Sequence, residues 1–171
     1  MSINVTYPAD YPPVEISGPN LRLARLLNND LAAVKSETTA IHQYLFQAWM
    51  IEENYPEISA TLSDIAKVEM HHMRILGQLI VLLGGSPRFF SYPPGRVLPW
   101  NGKMVNYDKE IHHILAADIS DEELACQAYT QQAKTIKDAK VAANLTRIAQ
   151  DEKLHKAVFE KILQDLSGMD V

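Results

Sequence analysis

The sequence predicts an all-α fold, a four-helix bundle built from two antiparallel hairpins joined by a long crossover loop. Three observations carry this. Apolar residues recur at helical spacing through four long segments, and Pro and Gly gather between those segments rather than within them. In addition, one pattern occurs twice: Glu37-x-x-Ala40-x-x-x-Tyr44 followed by Glu69-x-x-His72, then Glu122-x-x-Ala125-x-x-x-Tyr129 followed by Glu152-x-x-His155. The paired glutamates lie 32 and 30 residues apart, so the halves read as a duplicated helical hairpin.

Residues 1–20 hold Tyr7-Pro8, Tyr11-Pro12-Pro13 and Gly18-Pro19, which suits an extended arm lying on a surface, with reach to a neighbour, rather than a helix. From Asn20 to about Asn54, Leu23, Leu27, Leu31, Val34, Ile41, Leu45 and Ala48 keep a helical period without Pro or Gly, giving one continuous first helix. Tyr55-Pro56 marks a turn with Pro at the first helical position, and the second helix runs to Gly84-Gly85-Ser86-Pro87. Residues from 85 to about 107 are rich in Pro, Gly and aromatic side chains, including Phe89, Phe90, Tyr92 and Trp100. A connection of this length requires a reason. The second helix would be roughly 40 Å long, and an extended segment of about 22 residues can cross back over it to the far end. The third helix is expected from near Asp108 to about Lys137, and the fourth from about Asp138 to Asp165. The whole, 1–171, reads as one domain, with an arm over 1–20, the bundle over 21–165 and the crossover within it.

The repeat passes a geometric check. The midpoint between Glu37 and the Glu69/His72 pair falls at residues 53–54, and that between Glu122 and the Glu152/His155 pair at 137–138. Both fall on predicted turns. Residues equidistant from the turn of an antiparallel hairpin lie side by side, so all six side chains should meet in one layer of the bundle.

Glu and His three residues apart share a helix face, so each Glu-x-x-His can direct a carboxylate and an imidazole at one ion. Two such helices with one Glu from each of the other two make a dinuclear carboxylate site from Glu37, Glu69, His72, Glu122, Glu152 and His155. Oxygen-rich ligands with one His per ion suit Fe, and Mn equally, better than structural Zn. Four carboxylates balance two divalent ions; without metal, buried like charges would raise one another's pKa and destabilise the fold. Tyr44 and Tyr129, seven residues after each single Glu, are candidates for hydrogen bonding to ligands or for redox roles beside them. Glu123 competes with Glu122 for the third-helix position; Glu122 is preferred because its stripe, Leu115, Ile119, Ala125, Tyr129 and Ile136, is the more apolar. A third copy, Glu110-x-x-His113, stands outside the repeat and reads as ordinary helix. His42, His71 and His112 lack sequence partners and read as solvent-exposed.

Composition narrows the function. There are 21 acidic residues against 16 basic ones, with no electrostatic footprint for nucleic acid or an anionic membrane. The first ten residues contain no leader-like basic and apolar regions, and no apolar run approaches the ~18 residues of a membrane span, so a cytoplasmic protein is expected. The single cysteine, Cys126, excludes a disulfide framework and any Cys-x-x-Cys metal site.

With these motifs in view, the chain resembles the ferritin-like superfamily, especially bacterioferritins and the helical domain of rubrerythrins. The likeness spans about residues 21–165 and rests on Glu37-Thr-Thr-Ala-Ile-His-Gln-Tyr44-Leu-Phe, Glu69-Met70-His-His72 and Asp151-Glu152-Lys-Leu-His155. The resemblance implies that the six named residues bind two metals, with Glu69 and Glu152 bridging. Rubrerythrins carry a further glutamate one turn after the third-helix ligand, where this chain has Ala125, and they usually append a Cys-rich rubredoxin domain that is lacking here. The resemblance therefore does not extend to an internal electron-transfer centre. Bacterioferritins add a fifth helix to build a cage, whereas 16 residues follow His155, so a 24-subunit shell is not expected. Met70 stands next to Glu69, where bacterioferritins place a haem-binding methionine; a core or interface Met is the preferred reading, and haem is not expected.

These readings point to an oxidoreductase with a di-iron centre, or manganese in the same ligands, that reduces peroxide or O2 with electrons from an external reductant. Two other outcomes stay open on the sequence: a ferroxidase or iron-storage protein of bacterioferritin type, and a bundle that is either manganese catalase-like or metal-free and structural. A homo-oligomer is expected, a dimer favoured, because the aromatic loop and the arm offer apolar surface.

Overall fold

The computed structural model describes residues 3–169; Met1 and Ser2 of the expected arm, and the last two residues, lie outside the described residues. Its helices are α1 (Leu21–Ala32), α2 (Glu37–Ile51), α3 (Pro56–Leu82), α4 (Ile111–Thr135) and α5 (Ala139–Met169). α2 packs on α3 and α4 on α5 as two antiparallel hairpins, while α1 continues the direction of α2 along α3.

The expected single first helix is two. Four residues, Ala33 to Ser36, break it, and Val34, assigned from sequence to the apolar stripe, is exposed in the break. Hydroxyl chemistry is the cause. Ser36 caps α2 and donates to the Ala33 carbonyl at 2.7 Å, while Thr38 and Thr39 donate to the carbonyls of Leu31 and Ala33 at 2.6 and 3.0 Å. These side chains take over the carbonyls at the end of α1, so the backbone is satisfied without a continuous helix. Periodicity cannot register such a break, because the apolar stripe resumes in α2.

α3 starts with Pro56 at its first position, as expected. It ends where Gly84, at φ +87°, turns the chain: Gly84 N–H donates to Val81 and Gly85 N–H to Ile80, closing the last carbonyls. A Cβ on Gly85 would lie 2.8 Å from Ala24 Cβ, so glycine also permits the close approach of α1.

The crossover is ordered by a two-residue antiparallel ladder, β1 (Phe90–Ser91) with β2 (Leu98–Pro99), and by a short 3-10 turn over Gly102–Met104. Asn28 of α1 anchors it, its amide donating to the carbonyls of Arg88 and Phe90 and its oxygen accepting from Arg88 N–H. Trp100 donates its indole N–H to Thr39 at 2.9 Å, tying the crossover to the α1–α2 break. Glu110, from the third Glu-x-x-His copy, caps α4 by accepting from the backbone N–H groups of His112 and His113.

The Pro-rich arm lies on its own bundle. It runs beside α5, where buried Arg147 donates to the carbonyls of Tyr7 and Ala9 and stacks on the Tyr11 ring at 4.0 Å. Ser17 is held by Asp138 at the start of α5. Two apolar clusters fill the bundle, one around Leu27, Leu76, Leu79 and Leu145, the other around Leu62, Ile65, Leu115 and Phe159. The repeated polar residues lie in a layer between them.

Candidate metal centre

All six repeated side chains are buried, and they converge in two overlapping groups. Glu37, Glu69, His72 and Glu152 form one; Glu69, Glu122, Glu152 and His155 form the other, with the ligand atoms of each within 4.8 Å of one another. Glu69 and Glu152 belong to both. Nδ1 of His72 lies 2.9, 3.2 and 3.6 Å from oxygens of Glu69, Glu152 and Glu37. Nδ1 of His155 lies 2.9, 3.6 and 3.7 Å from oxygens of Glu69, Glu122 and Glu152.

Burial and charge set unequal proton affinities in this layer. Burial raises Glu37 well above the usual carboxylate range, with the Glu69 charge adding to it, and burial with the Glu152 charge does the same to Glu122. Burial also acts to raise Glu69, but the two imidazoles beside it win and hold it well below. Burial disfavours charge on His72 and His155, yet Glu69 and Glu122 respectively outweigh it and raise both.

The outer sides of the two imidazoles are held differently. His72 Nε2 is 3.0 Å from Asp151 Oδ2, and that carboxylate also pairs with Arg147 at 2.7 Å and accepts from Tyr11 O–H at 2.5 Å and Tyr7 N–H at 2.7 Å. Burial opposes ionisation of Asp151, but its bonds to His72, Arg147 and Tyr11 prevail and hold it far below its usual value. His155 Nε2 instead donates to the backbone carbonyl of Val5 at 2.9 Å. The repeat explains the difference: Asp151 precedes Glu152, whereas the equivalent residue before Glu69 is Val68, which has no acceptor, and the arm supplies one.

The two tyrosines cross between halves. Tyr44 of α2 donates to Glu122 Oε1 at 2.5 Å, and Tyr129 of α4 donates to Glu37 Oε1. Each steadies the single glutamate of the opposite hairpin and leaves it a second oxygen. Farther out, buried Asp118 accepts from Gln43 and Gln47, and Asp30 accepts from Gln132; burial pushes each carboxyl up to about 7. Gln47 and Gln132 are themselves equivalent, ten residues after Glu37 and Glu122.

The donor set fits a pair of ions. Glu69 Oε1, Glu122 Oε2, Glu152 Oε1 and His155 Nδ1 are buried yet make no hydrogen bond. Orphaned buried acceptors are costly. His155 Nδ1 and Glu69 Oε1 approach to 2.9 Å without hydrogen-bond alignment, which is how donors aimed at a common third atom lie.

A cavity of about 350 Å³ between α2 and α4 has Glu37, Glu69, Glu122 and Glu152 in its floor; the histidines lie behind them, toward α3, α5 and the arm. The remaining sequence candidates fall elsewhere. Glu123 is at the surface, paired with Lys156 at 2.6 Å. Met70 is 40% exposed on α3, outside the cluster. Solvent exposure describes His42 but not the partly buried His71 and His112, and each has a partner: His42 the Thr38 carbonyl and Trp100, His71 the Tyr11 ring at 4.4 Å, His112 the Glu110 carboxylate. Asp151, Arg147, Tyr11 and the Val5 carbonyl were not singled out in the sequence. Asp151, directly before Glu152, carried the one available signal.

A sequence model of the rubrerythrin family, described as "Rubrerythrin", matches residues 31–163. The chain is 30% identical over 130 residues to a bacterioferritin from Desulfovibrio desulfuricans, covering 74% of this chain and 67% of that one. Among solved structures it is similar to the manganese catalase KatB from Anabaena, with TM-score 0.82 and 25% identity over 94% of this chain and 80% of that one. It is also similar to the D. desulfuricans bacterioferritin, solved to describe its diiron site in different catalytic states, with TM-score 0.69 and 28% identity over 86% and 81% of the two chains.

Proposed function

We propose that this chain, which belongs to the rubrerythrin family, holds two iron or manganese ions and uses them to turn over hydrogen peroxide. Its fold is a ferritin-like four-helix bundle, and its buried carboxylate–histidine cluster is a candidate dinuclear metal site. The observation that carries the reading is the convergence of Glu37, Glu69, His72, Glu122, Glu152 and His155, four of which keep an unpartnered buried donor atom, in a cluster open on its carboxylate side to the cavity. Glu69 and Glu152, which belong to both groups, would be shared between the two ions, with Glu37 and His72 completing one ligand set and Glu122 and His155 the other.

Redox ions in paired sites of this kind supply electrons to a peroxide O–O bond and recover them from a second peroxide or an external reductant. The protein's part is positional. Asp151 and the Val5 carbonyl fix the imidazole rings, Tyr44 and Tyr129 orient Glu122 and Glu37, and the two apolar clusters close the layer above and below. Disproportionation of peroxide needs no outside electrons. The similarity to a manganese catalase supports it over a route that needs a donor protein.

The reading is tested by oxygen-electrode assay of protein loaded with Mn(II) or Fe(II). One O2 released per two peroxides without added reductant is the expected result. Peroxide loss only with a reductant present would make the protein a peroxidase, and no loss under either condition would overturn the reading. A second reading, a ferroxidase of bacterioferritin type, is supported by the 30% identity to that relative and would appear as Fe(II) oxidation far beyond two per chain. We further propose a cytoplasmic protein that forms a homo-oligomer, a dimer favoured; exposed Trp49 (68%), Met50, Val81 and Leu82 support the assembly. Light scattering would measure the assembly. Among the described residues no helix is long and apolar enough to cross a membrane.

A further inference from the structure

The cavity above the carboxylates is larger than hydrogen peroxide requires. Its volume is about 350 Å³. A water occupies ~30 Å³ of liquid, so hydrogen peroxide needs roughly twice that, while cavities from about 300 Å³ upward hold small organic ligands.

Its walls match the size. Ala40 and Ala125, equivalent in the repeat and one turn after Glu37 and Glu122 respectively, are small, and Ala128, Leu124 and Val34 continue the apolar lining to the surface. Polar side chains line it as well, Asp30, Ser36, Thr39 and Gln43 among them. The carboxylates of Glu37, Glu69, Glu122 and Glu152 stand at the floor with the hydroxyl-bearing rings of Tyr44 and Tyr129, and Lys35 pairs with Asp121 near the opening, from the α1–α2 break to α4. A ligand with one polar end and a compact apolar body meets this arrangement with its polar end at the floor. Water would gain little from the walls.

We propose that the cavity admits organic hydroperoxides with a compact apolar tail, the O–O group directed at the carboxylate floor and the tail against Ala40, Ala125 and Ala128. This rests on the peroxide reading of the centre. The O–O bond of ROOH is cleaved to ROH and H2O, taking up two electrons and two protons. Hydrogen peroxide supplies both when it is oxidised to O2, so the balanced reaction is ROOH + H2O2 → ROH + H2O + O2. With ROOH alone, a reduced pair of ions would supply the two electrons for one such cleavage only.

The experiment uses metal-loaded protein and cumene hydroperoxide, with hydrogen peroxide assayed in parallel. The expected result is one cumyl alcohol per reduced centre from cumene hydroperoxide alone, and many per centre when hydrogen peroxide is added. Narrowing the cavity by Ala125→Leu, or independently at its opening by Ala128→Trp, should lower the ratio of organic to hydrogen peroxide turnover by about tenfold or more. Calorimetric titration of the loaded protein with the unreactive alcohol gives a readout apart from turnover: binding in the wild type, weakened in both variants. Hydrogen peroxide turnover with no cleavage of cumene hydroperoxide would overturn this proposal and leave the peroxide reading standing. An unchanged ratio in both variants would overturn it too. Loss of neither peroxide would instead overturn the reading beneath it.

Discussion

Asp151 joins four partners at one carboxylate, and through His72 it acts on the centre without belonging to either ligand group. Asp151→Asn keeps the shape but removes the charge that favours a proton on Nε2, and hence a free lone pair on Nδ1. Metal affinity should fall by about 10- to 100-fold, measured by competition with a metal indicator, while the helical circular dichroism stays unchanged. Unchanged affinity would show that ring orientation comes from packing alone. Asp118 provides a second prediction, of stability. Its folded carboxyl titrates near 7 because of burial, against an ordinary 3.8, so the folded state binds this proton more tightly than the unfolded chain. The stabilisation is therefore full below about pH 4 and is lost as pH rises through about 7. It amounts to roughly a few kcal/mol. Asp118→Asn, which cannot ionise, should flatten the fall in Tm across that window; a parallel fall in the variant would refute the assignment. At this scale the sequence was informative wherever the repeat applied. All six repeated Glu and His positions meet in one layer, and the neighbours Glu122 and Glu123 separate into cluster and surface. Asp151 went unseen because its counterpart in the repeat is Val68, so duplication gave no signal there.

Helices were legible in proportion to how much local chemistry sets their ends. Pro56 and the Gly84-Gly85 pair act within a few residues, and α3 begins and ends where they dictate. The α1–α2 break depends on three hydroxyls reaching the carbonyls of Leu31 and Ala33 and on Trp100 from the crossover, contacts that no period reveals. The arm was expected to lie on a surface, but its role at the centre was invisible, because Val5 contributes a backbone carbonyl and Tyr11 works through Asp151. Deleting residues 1–12 should therefore speed metal loss to a chelator by about tenfold or more, from the loss of the Val5 carbonyl on His155 and of the Tyr7 and Tyr11 bonds that hold Asp151 against His72. A rate equal to that of the full chain would mean that the arm is only a covering.

For the molecule as a whole, the carboxylate–histidine layer is both the duplicated element and the main electrostatic liability. Four buried carboxylates between two apolar clusters are costly to ionise together, which is why Glu37 and Glu122 hold their protons well above the usual range, and cations offset that cost. Binding of ions to the folded chain alone adds RT ln(1 + [M]/Kd), about 2.7 kcal/mol at a hundredfold excess over Kd. Tm should accordingly rise on adding Mn(II) or Fe(II) and fall on chelation; indifference to metal would favour a structural bundle. The same duplication gives the molecule two unlike sides. The imidazole side is sealed by the arm, and the carboxylate side opens between α2 and α4. The halves themselves could be read from the spacing of the motifs. Which side opens could not, since it depends on Ala40 of α2 and Ala125 and Ala128 of α4 lining one cavity between helices distant in sequence.

The central claim is that six buried side chains hold two ions, and elemental analysis of protein purified without added metal or chelator tests it most directly, alongside Glu122→Ala. The account predicts close to two Fe or Mn per chain in the wild type and loss of about one in the variant. No bound metal in the wild type, even after reconstitution with Fe(II) and Mn(II), would contradict it.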